Sequence, residues 1–235
     1  MKVLNLYSGL GGNRKLWKGV SVTAVEDNEQ IAAIYKKHFP NDKLVIGDAH
    51  EYLVHNFREY DFIWSSPPCQ SHSKMMRATR HTINTYPDLR LYEEILLLKY
   101  FFKGNWVVEN VAPYYKPLIE PTVKIGRHLF WSNHHIEGVD IPGIKGIFSA
   151  TPQELKKQLG FNYKGNIYYK GNNDAGQVLR NCVHPKLGLH VFSQVQKGKS
   201  VRSSFIRENL IKARAIELKQ MQHETKFHSA TKIKL

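Results

Sequence analysis

The first half of the chain alternates short apolar strand patterns with amphipathic helical patterns, and each strand pattern ends in a polar or glycine-rich turn. Val3-Leu4-Asn5-Leu6-Tyr7 reads as a strand and runs into Ser8-Gly9-Leu10-Gly11-Gly12, with Asn13 to Gly19 read as a helix. Val22 to Glu26 is a second strand, and Asn28 to Phe39 a helix stopped by Pro40. Lys43 to Ile46, His50 to Phe57, Asp61 to Trp64, Leu89 to Phe102 and Trp106 to Glu109 continue the alternation. This order predicts an α/β fold, a Rossmann-like doubly wound sheet whose ligands sit at the carboxyl ends of the strands.

Those strand ends carry candidate chemistry. Glycines after the first strand let backbone N–H groups approach a ligand, although a tight turn explains Gly9-Leu10-Gly11-Gly12 equally well. Glu26-Asp27 after the second strand suits ribose hydroxyls or an N-terminal helix charge. Asp48 after the third suits an adenine amino group or a helix cap. The fourth leads into Ser65-Ser66-Pro67-Pro68-Cys69-Gln70, where two prolines stiffen the approach to a cysteine. A lone thiol is most often a small core residue, but one beside a rigid turn at a strand end is also where a nucleophile belongs. The fifth ends in Glu109-Asn110-Val111. Five polar strand ends in order on one rim point to a ligand site rather than to structure alone.

The 235 residues suit one substantial domain with room for a small satellite, and 34 Lys and Arg against 20 Asp and Glu give a net charge of +14. That balance favours a polyanionic partner. Two cysteines, Cys69 and Cys182, argue against a disulfide scaffold, and the separated Cys69–His72 and Cys182–His184 pairs are a weak zinc signal, so no metal is expected. No charged-then-apolar leader precedes Lys2 and no run approaches membrane-spanning length, so a cytoplasmic setting without membrane contact is the expectation.

In order, these motifs resemble those of the DNA (cytosine-5) methyltransferases. Tyr7, Ser8, Gly9, Leu10, Gly11 and Gly12 match the family's Phe-x-Gly-x-Gly-Gly. Glu26 and Asp48 match its ribose- and adenine-binding acids, Pro67-Pro68-Cys69-Gln70 its nucleophile motif, Asp88-Leu89-Arg90 its Asp-x-Arg, and Glu109-Asn110-Val111 its Glu-Asn-Val. Leu159-Gly160-Phe161 resembles a late Leu-x-Gly-Phe segment, and Arg180-Asn181-Cys182-Val183-His184-Pro185 the closing Gly-Asn-x-Val-x-Pro element. The resemblance spans roughly residues 2–192.

It implies S-adenosylmethionine as methyl donor, held by the glycine turn with Glu26, Asp27, Asp48, Pro68, Asn181 and Val183. It implies a catalytic set of Cys69, Glu109 and Arg127, and duplex DNA with a flipped cytosine as partner. Asn110 would orient the loop carrying Cys69. A tRNA-modifying branch shares the motif set, so RNA is the alternative substrate, and a non-catalytic nucleic-acid-binding relative is another.

Two departures stand out. The family's Gln-x-Arg-x-Arg becomes Val123-Lys124-Ile125-Gly126-Arg127, which keeps only the second arginine. The span from Trp131 to Asn181 is also too short for a full target-recognition domain. The resulting layout is a catalytic and cofactor-binding domain over 1–132, a reduced recognition region over 133–175, and a C-terminal part over 176–235 that returns to the catalytic domain with a basic terminal helix. This is the organisation of a small, phage-like or orphan type, acting in a prokaryotic cell or infected host, with a partner chain as one possible source of specificity. Lys74, Arg77, Arg80 and His81 in the Ser71–Pro87 loop are read as phosphate contacts over the flipped base. Tyr163, Lys164, Tyr168, Tyr169 and Lys170 are read either as base-stacking groups or as a small packed hairpin. The terminal helix is expected from Ser203 or Ser204 to Gln222.

Overall fold

A computed structural model of the chain describes residues 1–73, 86–141, 143–169 and 173–195. The chain divides into two units, Met1–Gln194 and Val195–Leu235, and the site lies in the first. The basic loop residues Lys74, Arg77, Arg80 and His81, together with Lys170 and the expected terminal helix, lie outside the described residues.

Seven strands form one sheet in the order β3-β2-β1-β4-β5-β7-β6. The strands β1 (Lys2–Leu6), β2 (Ser21–Glu26), β3 (Lys43–Ile46), β4 (Phe62–Ser65) and β5 (Asn105–Val111) are mutually parallel. The hairpin of β6 (Val123–Ile125) and β7 (His128–Ser132) closes the sheet antiparallel to β5. From β1 the chain winds to β2 and β3 on one side and to β4 and β5 on the other. The crevice for ligands in such a sheet opens where that direction switches, outside the carboxyl ends of β1 and β4.

Helices cover both faces. On one, α2 (Ala49–Asn56) and α3 (Arg90–Phe101) press Leu53, Leu91, Ile95 and Leu98 onto Leu4, Leu6, Ile63 and Val108. On the other, Tyr35 and Phe39 from the end of α1 (Glu29–His38) lie against Ala24. There Trp17 stacks on Phe192 at 4.7 Å and packs edge-on to Phe62 at 6.3 Å. Each fully buried aromatic of this kind contributes about 2–3 kcal/mol.

Helix ends follow local chemistry. Asn28 caps α1 by accepting from the Gln30 and Ile31 N–H groups, and Asp48 caps α2 by accepting from Glu51. The expected capping box forms at α4 (Pro152–Leu159): Thr151 accepts from the Glu154 N–H, Glu154 accepts from the Thr151 N–H, and Gly160 ends the helix at φ 69°. This helix and α5 (Gln177–Arg180) pack Leu155, Leu159, Val178 and Leu179 against Leu10 and Ile31. Residues 185–195 are also helical. Among the described residues no helix is long and apolar enough to cross a membrane.

The helix expected over Asn13 to Gly19 does not form; residues 12–16 make successive turns. The side chains there are drawn in different directions. Asn13 donates to Asn5 in the sheet, Arg14 reaches Asp42 and the Trp17 carbonyl, and the Trp17 indole donates to the Gly188 carbonyl. Gly188 also passes so close that a Cβ on it would lie 2.3 Å from the Asn13 oxygen. Tertiary partners therefore outweigh a weak local helical preference.

Candidate active site

The cleft at the switch point collects residues from every parallel strand end. Tyr7, Ser8, Gly9 and Gly12 come from the turn after β1, Glu26 and Asp27 from β2, and Asp48 follows β3. Pro68 and Cys69 follow β4, Glu109 and Asn110 end β5, Arg127 begins the β7 side, and Asn181 and Val183 approach from beyond α5. Two residues of the glycine turn stay out of it. Leu10 is fully buried among Ile31, Leu155 and Leu159. Gly11, at φ 83°, leaves no room for a side chain, since a Cβ would lie 2.3 Å from the Phe39 ring.

The β1–β2 half of the cleft gathers groups that can hydrogen-bond a hydroxyl-bearing ligand. Glu26 Oε2 accepts from the Gly9 N–H at 2.9 Å and Oε1 from the Asn28 N–H at 3.1 Å. Burial pushes its carboxyl up to about 7, against the pull of those two donors. Ser8 Oγ is buried without a hydrogen-bond partner among the described residues, and the space a Gly9 side chain would fill is open there. Asp48 joins this half with Oδ1 held by the α2 N-terminus and Oδ2 3.5 Å from Arg90. The glycine turn, the buried Glu26 carboxyl, the Ser8 hydroxyl and an exposed-edge Asp48 together fit a nucleoside. Tyr7 leaves β1 at φ 53°, the one non-glycine residue with positive φ among those described.

The β4–β5 half holds Cys69 and Glu109. Asn110 Nδ2 donates to the Pro67 carbonyl at 3.0 Å, which ties the end of β5 to the turn carrying Cys69. The His72 and Ser73 N–H groups donate to the Cys69 carbonyl, so the turn closes on itself. Burial raises the Cys69 thiol above its ordinary value, the Glu109 charge adds to that, and Arg127 opposes both. Glu109 is buried. Burial pushes its carboxyl up, but His128, a Ser66 hydroxyl and Arg127 outweigh burial and hold it below the usual carboxylate range. Ser66 Oγ is fixed in turn by the Trp64 indole at 2.9 Å.

His128 was not expected from the sequence. Its Nδ1 lies 2.6 Å from Glu109 Oε1, and Arg127 Nε donates to its Nε2 at 3.3 Å. With Nε2 accepting, Nδ1 carries the proton toward Glu109. Arg127 also donates through Nη2 to the Arg180 carbonyl at 2.6 Å. His72, three residues past the cysteine, is buried with Nδ1 2.6 Å from the Tyr115 hydroxyl. The signal for His128 was its place at the start of a strand beside Arg127; finding it required the β5–β7 pairing.

The tyrosines of 161–169 form no hairpin among the described residues. Tyr163 and Tyr169 pack against the Leu155–Leu159 cluster, and Lys156 lies 3.8 Å from the centre of the Tyr163 ring. Tyr168 is exposed.

Residues 1–96 match the family model described as C-5 cytosine-specific DNA methylase. The Type II methyltransferase M1.HgaI of Avibacterium volantium is 30% identical over 185 residues, which is 70% of this chain and 51% of that protein. A tRNA (cytosine(38)-C(5))-methyltransferase of Spodoptera frugiperda is 36% identical over 76 residues, 29% of this chain and 23% of that protein. A solved structure of a Spodoptera frugiperda DNMT2 mutant aligns at 27% identity and a TM-score of 0.34, covering 47% of this chain and 35% of that one. The chain spans about half the length, or less, of these curated relatives. The family match over residues 1–96, the Type II relative and the ordered motifs on one cleft support a DNA cytosine-5 methyltransferase family for this chain.

Proposed function

We propose that the protein transfers a methyl group from S-adenosylmethionine to C5 of a cytosine flipped out of duplex DNA, through a covalent bond between Cys69 and C6. The observation that carries this reading is the convergence of Cys69 and Glu109, from neighbouring strand ends, on the cleft that also holds Glu26 and the glycine turn.

The donor, when bound, supplies an electrophilic sulfonium methyl group. Glu26 receives the ribose hydroxyls, Asp48 the adenine amino group, and the Ser8–Gly12 turn, Pro68, Asn181 and Val183 enclose the rest. In the resting site the proton of the Cys69–Glu109 pair sits on sulfur, because Cys69 is shifted up and Glu109 down. Moving that one proton from Sγ to Glu109 gives thiolate and acid together without exchange with solvent. The thiolate forms the S–C6 bond while Glu109 protonates N3, so the ring never carries a full negative charge. C5 then takes the methyl group. Loss of the C5 proton to water, return of the N3 proton to Glu109 and expulsion of the Cys69 thiolate restore the neutral aromatic ring, and the proton on Glu109 then passes back to Sγ. Arg127, anchored by His128 and the Arg180 carbonyl, lies where it can donate to the base.

Residues 133–175 supply a reduced recognition surface that exposes Phe148 and Tyr168, and a partner chain adds what specificity they lack. A second reading, RNA as substrate, is favoured by the match to a tRNA cytosine methyltransferase. Labelled-methyl transfer to duplex DNA and to tRNA decides between them, and the same assay with Cys69→Ser tests the covalent route. Transfer to neither nucleic acid, without donor binding, would leave a binding module instead of an enzyme.

A further inference from the structure

Glu94 is fully buried on the face of α3 that packs against the sheet, among Leu91, Ile95 and Leu98. No step of the proposed reaction uses it. An acid in such a cluster is unfavourable unless its oxygens are satisfied, and an apolar residue of similar size would pack there at least as well. Its two oxygens divide between the two halves of the cleft. Oε1 accepts from the Tyr7 hydroxyl at 2.6 Å and lies 3.2 Å from His50 Nδ1, so it holds the glycine-turn side. Oε2 accepts from Ser65 Oγ at 2.5 Å, so it holds the strand that leads to Cys69. Tyr7 is the left-handed residue that aims the glycine turn, a conformation that persists only when its surroundings enforce it. Ser65 is the last residue of β4, paired with Leu6 immediately before that turn.

We propose that Glu94 is a positioning residue that sets the donor turn against the nucleophile strand, with Oε1 acting through Tyr7 on donor binding and Oε2 acting through Ser65 on turnover. This rests on the reading of the cleft as a methyl-donor and cytosine site. The backbone ladder fixes the spacing of β1 and β4, but neither Tyr7 nor Cys69 lies within it. Their directions are set by side-chain anchors, and one carboxyl group provides both.

The test is calorimetric binding of S-adenosylmethionine, together with methyl transfer at saturating donor to the nucleic acid the wild type accepts. Tyr7→Phe is expected to weaken donor binding about tenfold. Ser65→Ala should slow turnover about tenfold while the donor Kd stays within about twofold. Glu94→Leu should do both, and Tyr7→Phe/Glu94→Leu should bind donor no more weakly than Glu94→Leu alone, because the two remove one interaction. A purely structural role would lower the melting temperature without this split. Glu94→Gln, with one acceptor oxygen in place of two at equal volume, should lose one arm and keep the other, and it decides the matter if Glu94→Leu does not fold. Wild-type donor affinity and turnover in Glu94→Gln, or full additivity in the double variant, would overturn the inference. A wild-type chain that binds no donor would instead overturn the functional reading, and the inference with it.

Discussion

His128 Nδ1 lies 2.6 Å from Glu109 Oε1, and the two residues are diagonal neighbours across the antiparallel β5–β7 pair, where His128 stands opposite Val111. The contact holds one carboxylate oxygen of a group that also takes a hydrogen bond from the Ser66 hydroxyl. Replacing His128 by Leu removes the main influence that keeps Glu109 low, so burial dominates and its pKa rises. In the proposed reaction the active form of the Cys69–Glu109 pair carries one proton. It exists above the Glu109 pKa and below the raised Cys69 pKa. The pH profile of kcat/KM is therefore expected to show a broad plateau in the wild type, with its acid limb moved to higher pH in His128→Leu. A limb that stays in place would mean that His128 does not tune Glu109.

Cys69→Ser is expected to lower methyl transfer by ~10³ or more while donor binding survives, since a serine hydroxyl in the same place lacks an accessible anionic form. The companion measurement is trapping of a protein–nucleic acid adduct with a C5-fluorinated cytosine. The wild type should yield a denaturation-resistant complex, and unchanged activity in Cys69→Ser would sink the covalent mechanism.

Much of this site was readable in the sequence because its residues sit at strand ends, where a local pattern of apolar run and polar stop fixes position. Cys69, Glu109, Glu26 and Asp48 reach one cleft for that reason. Asp48 caps α2, as one of its two readings expected, and it also lines the cleft. What escaped depends on pairing or packing. His128 needs the β5–β7 register, Glu94 needs the inward face of α3, and the turns over 12–16 replace a helix because Asn5, Asp42 and Gly188 supply partners distant in sequence. Leu10 and Gly11 match the glycine motif by spelling, yet they serve packing behind the turn.

Glu26 gives a pH dependence of donor binding distinct from that of catalysis. Its carboxyl is raised to about 7 by burial, while hydroxyl donors favour its ionised form. Binding should therefore release a proton, and affinity should rise as pH increases through about 7 and level off above it. Calorimetry in buffers of different ionisation enthalpy reads the released proton directly. Glu26→Gln should bind more weakly and lose the dependence; a dependence that persists in this variant would assign it to another group.

Gly9 and Gly12, two of the three glycines of the Ser8–Gly12 turn, should fail in different ways. A Cβ on Gly12 would lie 2.4 Å from the Val183 carbonyl oxygen and 3.0 Å from Cys182 Cβ, so Gly12→Ala must push apart the turn and the segment beyond α5. That overpacking is expected to cost about 1–3 kcal/mol of stability, measured by denaturant unfolding. A Cβ on Gly9 meets nothing within 4 Å, but the residue sits at φ 54° beside Glu26 in the cleft. Gly9→Ala should cost only about 1 kcal/mol from backbone strain. It should weaken donor binding relative to that stability loss more than Gly12→Ala does, because the added methyl enters the open space of the cleft. Equal ratios of affinity loss to stability loss in the two variants would show that the space beside Gly9 is not where the donor lies.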